Sequence, residues 1–310
     1  MKRETIALHH GYQPDNQHSV AVPIHQTSSF SFDSAQHAAD LFDLKVTGNI
    51  YSRIMNPTCE VLEQRIAALE GGIGALAVAS GMAAITYAIQ TIAETGDNII
   101  SINELYGGTY NLFAHTFPRQ GIEVRFADKD DFNAIEQLID ERTKAVYCES
   151  IGNPSGSIVD IEKLAALAHR HGLPLIVDNT VATPFLWRPI EQGADIVVHS
   201  ATKYIGGHGT TIGGLIVDSG KFPWAKHAKR FPLLNEPDVS YHGVSYTRDV
   251  GDAAFIARAR VVPLRNMGAA LSAQAAWNLL QGLETLALRI ERINQNTLAV
   301  ANWLEQEPQV

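Results

Sequence analysis

Residues 173–178 read Leu173-Pro-Leu-Ile-Val-Asp178, and residues 195–209 read Asp195-Ile-Val-Val-His-Ser-Ala-Thr-Lys203-Tyr-Ile-Gly-Gly-His-Gly209. Each contains a continuous apolar run of strand length, without the polar alternation of a half-exposed strand. Strands apolar on both faces belong to a buried, largely parallel sheet with helices on either side. A third run, 213–217, follows after a loop too short for a right-handed crossover, so it is expected to lie antiparallel to its predecessor.

The same alternation extends outward. Residues 75–79, 98–101, 123–127 and 145–149 read as strands, and 82–93, 109–117, 132–139 and 161–171 as helices. Asn56-Pro57 is an N-cap followed by proline at the first helical position. Cys59, Leu62, Ile66 and Leu69 then recur at helical spacing until Gly71-Gly72 closes the helix. The first 55 or so residues lack periodicity and read as an extended arm with one short helix near 35–44. Residues 220–252 lose regular pattern. A long helical stretch is expected from about Met267, and a second pattern covers 290–304. The expected organisation is an N-terminal arm (1–57), a large α/β domain (58–257) and the helical start of a C-terminal domain (258–310).

Composition narrows the function. The 310 residues hold 45% apolar and 18% charged residues, as in ordinary soluble domains, and the chain is long enough to fold without disulfides or metal. The net charge of −9 argues against a broad nucleic-acid footprint, and the short basic run 226–230 reads as a solvated helix face. Two cysteines, Cys59 and Cys148, make no disulfide framework, and Cys148 reads as a small buried hydrophobe. The chain opens without a secretory apolar region and contains no run approaching about 18 apolar residues. A cytoplasmic protein with no membrane partner is expected.

Several motifs fail on context. Gly72-Ile73-Gly74-Ala75-Leu76-Ala77 fits a loose dinucleotide pattern but lies between a helix and a strand, the reverse of what pyrophosphate binding needs. Gly220-Lys221 is followed by Phe222, which cannot serve a magnesium ion. His169 and His171 do not face one metal and read as surface residues, so no metal site is expected.

Three features carry chemistry. Ser80-Gly81-Met82 joins a strand to a helix, where backbone N–H groups form an anion site. Alone, that joint is an ordinary serine-capped turn. Asp178 follows a strand at the sheet's carboxyl end, where ligands bind, although a turn aspartate would look the same. Lys203 is the only Asp, Glu, Lys or Arg between Ile196 and Val217, flanked by Ser200, Thr202 and a glycine-rich loop. Desolvation there would favour a neutral amine that attacks a carbonyl, while snorkelling is the commoner fate of a lysine. Together the three meet the needs of pyridoxal phosphate: an anchored phosphate, an acid at the ring nitrogen and a lysine for the aldehyde. Tyr106, after another strand end, is placed to stack on the ring.

The 195–209 run resembles the signature of the Cys/Met-metabolism family of fold-type I pyridoxal-phosphate enzymes. Tyr51-Ser52-Arg53, Asn56-Pro57-Thr58, Ser80-Gly81-Met82, Asn153-Pro154 and Asp178-Asn179-Thr180 occur in the family's order, and the likeness spans essentially the whole chain. Residues 37–42 leading to 48–53, together with 231–242, most resemble O-acetylhomoserine sulfhydrylases. The resemblance implies a mostly parallel sheet flanked by helices, with an N-terminal arm and an incomplete C-terminal domain. It implies Lys203 as the Schiff-base lysine, Asp178 at the pyridine nitrogen and Tyr106 on the ring. Ser80, Gly81, Met82, Ser200 and Thr202 would hold the phosphate. Asn153 would lie near the phenolic oxygen or the substrate carboxylate. Tyr51 and Arg53 would reach the phosphate of a neighbouring subunit, which implies a homo-oligomer, a dimer or a dimer of dimers (homotetramer), with shared sites. The implied reaction makes homocysteine and acetate from O-acetylhomoserine and sulfide. Cystathionine γ-synthase, γ-lyase or methionine γ-lyase chemistry shares the scaffold, and a catalytically silent subunit is the reading from another class. Family members carry the arginine for the substrate α-carboxylate in a C-terminal segment beyond the stretch matched here.

Overall fold

The computed structural model describes residues 1–310 apart from Leu44 and Thr47. Its centre is a seven-stranded sheet: β1 (Gly74–Val78), β2 (Asn98–Ile102), β3 (Glu123–Ala127), β4 (Thr143–Glu149), β5 (Leu175–Asp178), β6 (Ile196–Ser200) and β7 (Gly214–Asp218). The spatial order is β1-β7-β6-β5-β4-β2-β3. β7 pairs antiparallel with both β6 and β1, and the other neighbours pair parallel. The short β6–β7 loop therefore reverses direction as expected, and β7 alone runs against the rest.

Helices cover both faces. α1 (Arg3–His9) and α3 (Pro57–Glu70) pack with the helices Ile161–Arg170 and Ala273–Glu284 on one face. α4 (Gly81–Gln90) and an aromatic cluster of Phe113, Phe117, Trp224, Phe231 and Phe255 cover the other. Both faces of the central strands are thus buried, which is why their sequences are continuously apolar. α3 starts where Asn56 accepts the Thr58 N–H at 3.0 Å, and it ends at Gly71, whose φ of 82° is a left-handed cap.

The short arm helix is α2 (Ala35–Phe42), capped by Ser34; Leu44, in the expected 35–44 span, lies outside the described residues. α1 was not expected. It is too short to be stable alone, and the buried Arg65 guanidinium holds its end by donating to the Ala7 and His10 carbonyls at 3.1 and 2.9 Å. The helix expected from Met267 starts instead at Ala273, where Ser272 accepts the Ala275 N–H. Met267 ends an earlier helical run from Ala254, closed by Gly268 at φ 79°. The final helix is Leu286–Leu304. Cys148 is fully buried, as is most of Cys59, and both are free thiols. No described helix is long and apolar enough to cross a membrane.

Candidate active site

The carboxyl ends of β4, β5 and β6 deliver Glu149, Asp178 and Ser200 to the rim of one cavity of about 1210 Å³. This is where a parallel sheet binds ligands, because the βα loops open there. Ser80, Gly81 and Met82 enter it from the start of α4. Tyr106 and Asn153 come from the loops after β2 and β4, and Thr202 and Lys203 from the turn after β6. Nine of the eleven sequence-predicted residues therefore converge on one space. Tyr51 and Arg53 do not line it. Arg53 donates to the Arg265 carbonyl, and its guanidinium lies 5.2 Å from the Tyr51 ring centre; both side chains are exposed.

The start of α4 is built for an anion. The Ser80 Oγ accepts the Ala83 N–H at 3.1 Å, while the Gly81 and Met82 N–H groups meet no acceptor among the described residues. Gly81 and Gly214 allow this approach. A Cβ on Gly81 would lie 2.6 Å from the Ser200 Cβ, and one on Gly214 would lie 2.0 Å from the Ser80 carbonyl oxygen. The helix start is thereby pressed onto the ends of β6 and β7, beside the Ser200 hydroxyl. Thr202 is partly engaged: its Oγ1 donates to the Gly213 carbonyl at 3.2 Å and accepts the Gly213 N–H at 3.1 Å.

Asp178 is held by the Thr180 N–H, 2.9 Å from Oδ1. Burial raises its carboxyl above the usual aspartate range, against the Thr180 bonds, the neighbouring His199 and the Tyr147 hydroxyl. Among the described residues no Lys or Arg pairs with it, so a cationic ring nitrogen suits it. Lys203 is exposed to the cavity. The expected packing of this lysine among apolar neighbours of its own chain is therefore not observed. The free helix N–H groups, the Ser200 hydroxyl, the acid without a cation and the accessible amine together fit pyridoxal phosphate.

Sequence reading missed several groups. Glu149 sits at a strand end like Asp178, and that position was its available signal. Arg289 and Arg292 reach the cavity from the final helix, a placement no local motif announces. His169 is exposed and His171 half-buried, as the surface reading expected, and each is also paired: His169 Nε2 lies 2.8 Å from the buried Asp195 Oδ2, and His171 Nε2 lies 2.7 Å from Glu136 Oε1. No metal-binding cluster occurs among the described residues. The basic run 226–230 is not wholly solvated either, since Arg230 Nη1 donates to the Thr143 carbonyl at 2.6 Å.

Comparison with known proteins places this geometry among relatives. The family profile described as "Cys/Met metabolism PLP-dependent enzyme" matches residues 4–310. A homocysteine/cysteine synthase of Saccharomyces cerevisiae is 54% identical over 311 residues, covering 99% of this chain and 70% of the yeast protein. An O-acetyl-L-homoserine sulfhydrylase of Thermus thermophilus is 52% identical, covering 100% of this chain and 74% of its own length. A 2.35 Å crystal structure of a Campylobacter jejuni protein assigned as an O-acetylhomoserine (thiol)-lyase superposes with a TM-score of 0.96 at 46% identity. It covers 99% of this chain and 76% of its own, and it carries an N'-pyridoxyl-lysine-5'-monophosphate.

Proposed function

The chain belongs to the Cys/Met-metabolism family of PLP-dependent enzymes, and on that premise we propose that it converts O-acetylhomoserine and sulfide to homocysteine and acetate. The observation that carries the reading is the meeting of Lys203, Asp178 and the start of α4 in one cavity. The sulfhydrylases and homocysteine synthases at 46–54% identity supply the reaction class.

Pyridoxal phosphate, when bound, supplies an electron sink for charge developing at substrate carbon. The protein's residues do the rest. Gly81 and Met82 offer backbone N–H groups, with the Ser80, Ser200 and Thr202 hydroxyls, to the phosphate. Asp178 keeps a proton on the ring nitrogen by holding it with a carboxylate. Tyr106 covers a ring face, and Asn153 stands near the phenolic oxygen or the substrate carboxylate. Lys203 Nζ, exposed in the cavity, would bond the cofactor's aldehyde and, once the substrate amine had replaced it, would take the Cα proton. Loss of acetate from Cγ after Cβ deprotonation leaves the carbon that sulfide attacks. Tyr51 and Arg53, which lie outside this chain's own cavity, serve a neighbouring copy's phosphate in a homo-oligomer. A cytoplasmic setting, in keeping with the free cysteines, belongs to the same proposal.

The test is product partition from O-acetylhomoserine with sulfide, cysteine or water as acceptor. Homocysteine should dominate when sulfide is present. Dominant cystathionine or elimination products would overturn the choice within the family.

A further inference from the structure

β4 and β5 end on two acids side by side: Glu149 is the register partner of Asp178 in the parallel ladder. The proposed reaction uses Asp178 and leaves Glu149 without a role. Glu149 is 5% exposed, yet its oxygens serve two different cavity loops. Oε1 accepts the Tyr106 N–H at 2.7 Å, and Oε2 accepts the Asn153 N–H at 3.2 Å. Tyr106 opens the short helix Gly107–Asn111 without a side-chain cap of its own. Asn153 is exposed in the loop that follows β4. One rigid strand end therefore ties down both loops.

Resting on the assignment of this cavity to pyridoxal phosphate, we propose that Glu149 is a positioning residue. It sets Tyr106 over the ring face and Asn153 at the ring edge from the strand beside the one that holds the ring nitrogen. Its charge state follows from the same placement, since two neighbouring carboxyls resist joint ionisation. A cationic ring nitrogen keeps Asp178 ionised, so Glu149 holds the proton. Burial first, then the Asp178 charge, pushes Glu149 up to about 8, against its two backbone N–H bonds. The other titratable groups facing this pair are Tyr147 and Cys148 on β4 and His199 on β6, with Lys203 in the same cavity. A neutral carboxyl keeps a full acceptor in its carbonyl oxygen, which suits the 2.7 Å Tyr106 bond, and a weaker one in its hydroxyl oxygen, which suits the 3.2 Å Asn153 bond, so the loops stay tied without a second negative charge under the ring.

The test compares wild type, Glu149→Gln and Glu149→Ala. Three quantities are read: the dissociation constant for pyridoxal phosphate, the visible circular dichroism of the bound cofactor, and the melting temperature of the cofactor-saturated protein at about pH 5 and about pH 8. Glu149→Ala, which strands both N–H groups, should weaken cofactor binding roughly tenfold or more and change the visible band. Glu149→Gln keeps one acceptor and faces the other N–H with a donor, so it should lie between the two. Folding raises this carboxyl above its ordinary value of 4.5. Wild-type stability is therefore lost as pH rises through that window, and Glu149→Gln should flatten the loss. Wild-type affinity and visible band in both variants would overturn the proposal, and an unchanged pH slope in Glu149→Gln would overturn its protonation. If Glu149→Ala fails to fold, Glu149→Gln decides by the same readings. A wild-type chain that takes up no cofactor would overturn the reading of the cavity and this proposal with it, whereas uptake with indifferent variants overturns this proposal alone.

Discussion

Asp178 shows how the role proposed for a residue trades against stability. Burial, opposed by the Thr180 bonds, raises its carboxyl in the folded chain, so the protonated form is the one folding favours. Stability is then lost as pH rises from the free-chain value through the folded one. Asp178→Asn removes that loss while keeping an oxygen for the Thr180 N–H. The cofactor-free variant should melt a few degrees higher at neutral pH and gain nothing near pH 3. Its cofactor affinity should fall by roughly 1.5–3 kcal/mol, the worth of a hydrogen bond to a charged group. Parallel thermal melts and cofactor titrations check both signs, and a variant that loses stability at neutral pH would contradict them. Asp178 was legible because it ends an apolar run and is followed by Asn-Thr. Glu149 ends another such run but was not legible, because its partners, the Tyr106 and Asn153 backbones, are set by the fold and leave no local spacing to read. Lys203 was legible from its isolation in the sequence. Its exposure was not, because the cavity is shaped by helices far along the chain.

At the scale of elements, all seven strands and the reversal of β7 could be read, since apolar runs and loop length report them directly. The run 254–267 could not. Arg258 and Arg260 interrupt its apolar spacing, yet both are drawn inward: Arg258 donates to the Thr91 carbonyl at 2.7 Å and Arg260 to Glu63 at 2.6 Å. The final helix contributes more than packing. Arg289 donates to the Tyr204 carbonyl at 2.6 Å, Ile205 at 3.3 Å and Gly282 at 2.5 Å, tying the turn after Lys203 to the end of the Ala273–Glu284 helix. Gly207 leaves room for it, since a Cβ there would lie 2.4 Å from Arg289 Nη1. Arg289→Ala should cost roughly 1.5–3 kcal/mol of stability, and it should slow formation of the borohydride-trappable linkage at Lys203 by loosening its turn. Unfolding curves and a trapping time course measure these separately; unchanged trapping would confine Arg289 to a packing role.

For the whole molecule, the role proposed for the arm is the part least legible in one chain. Arg53 lies outside its own chain's cavity, and a bidentate guanidinium suits a phosphate. If it serves a neighbouring copy, mixing Arg53→Ala with Lys203→Ala chains creates a site with a native Lys203 from one and a native Arg53 from the other. At limiting cofactor, labelling of the Arg53→Ala chain should then rise above its level alone, once exchange of subunits is confirmed. No rise after exchange would remove the arm from the shared site. The assignment of the cavity depends on Lys203 as the point of attachment. The most direct measurement is borohydride reduction of the cofactor-loaded protein, followed by digestion and mass spectrometry of its peptides. The account predicts a pyridoxyl mass on the peptide holding Lys203 and none in Lys203→Ala, which should fold and still bind the cofactor without a covalent bond. A label on a different lysine, or one that persists in Lys203→Ala, would contradict it.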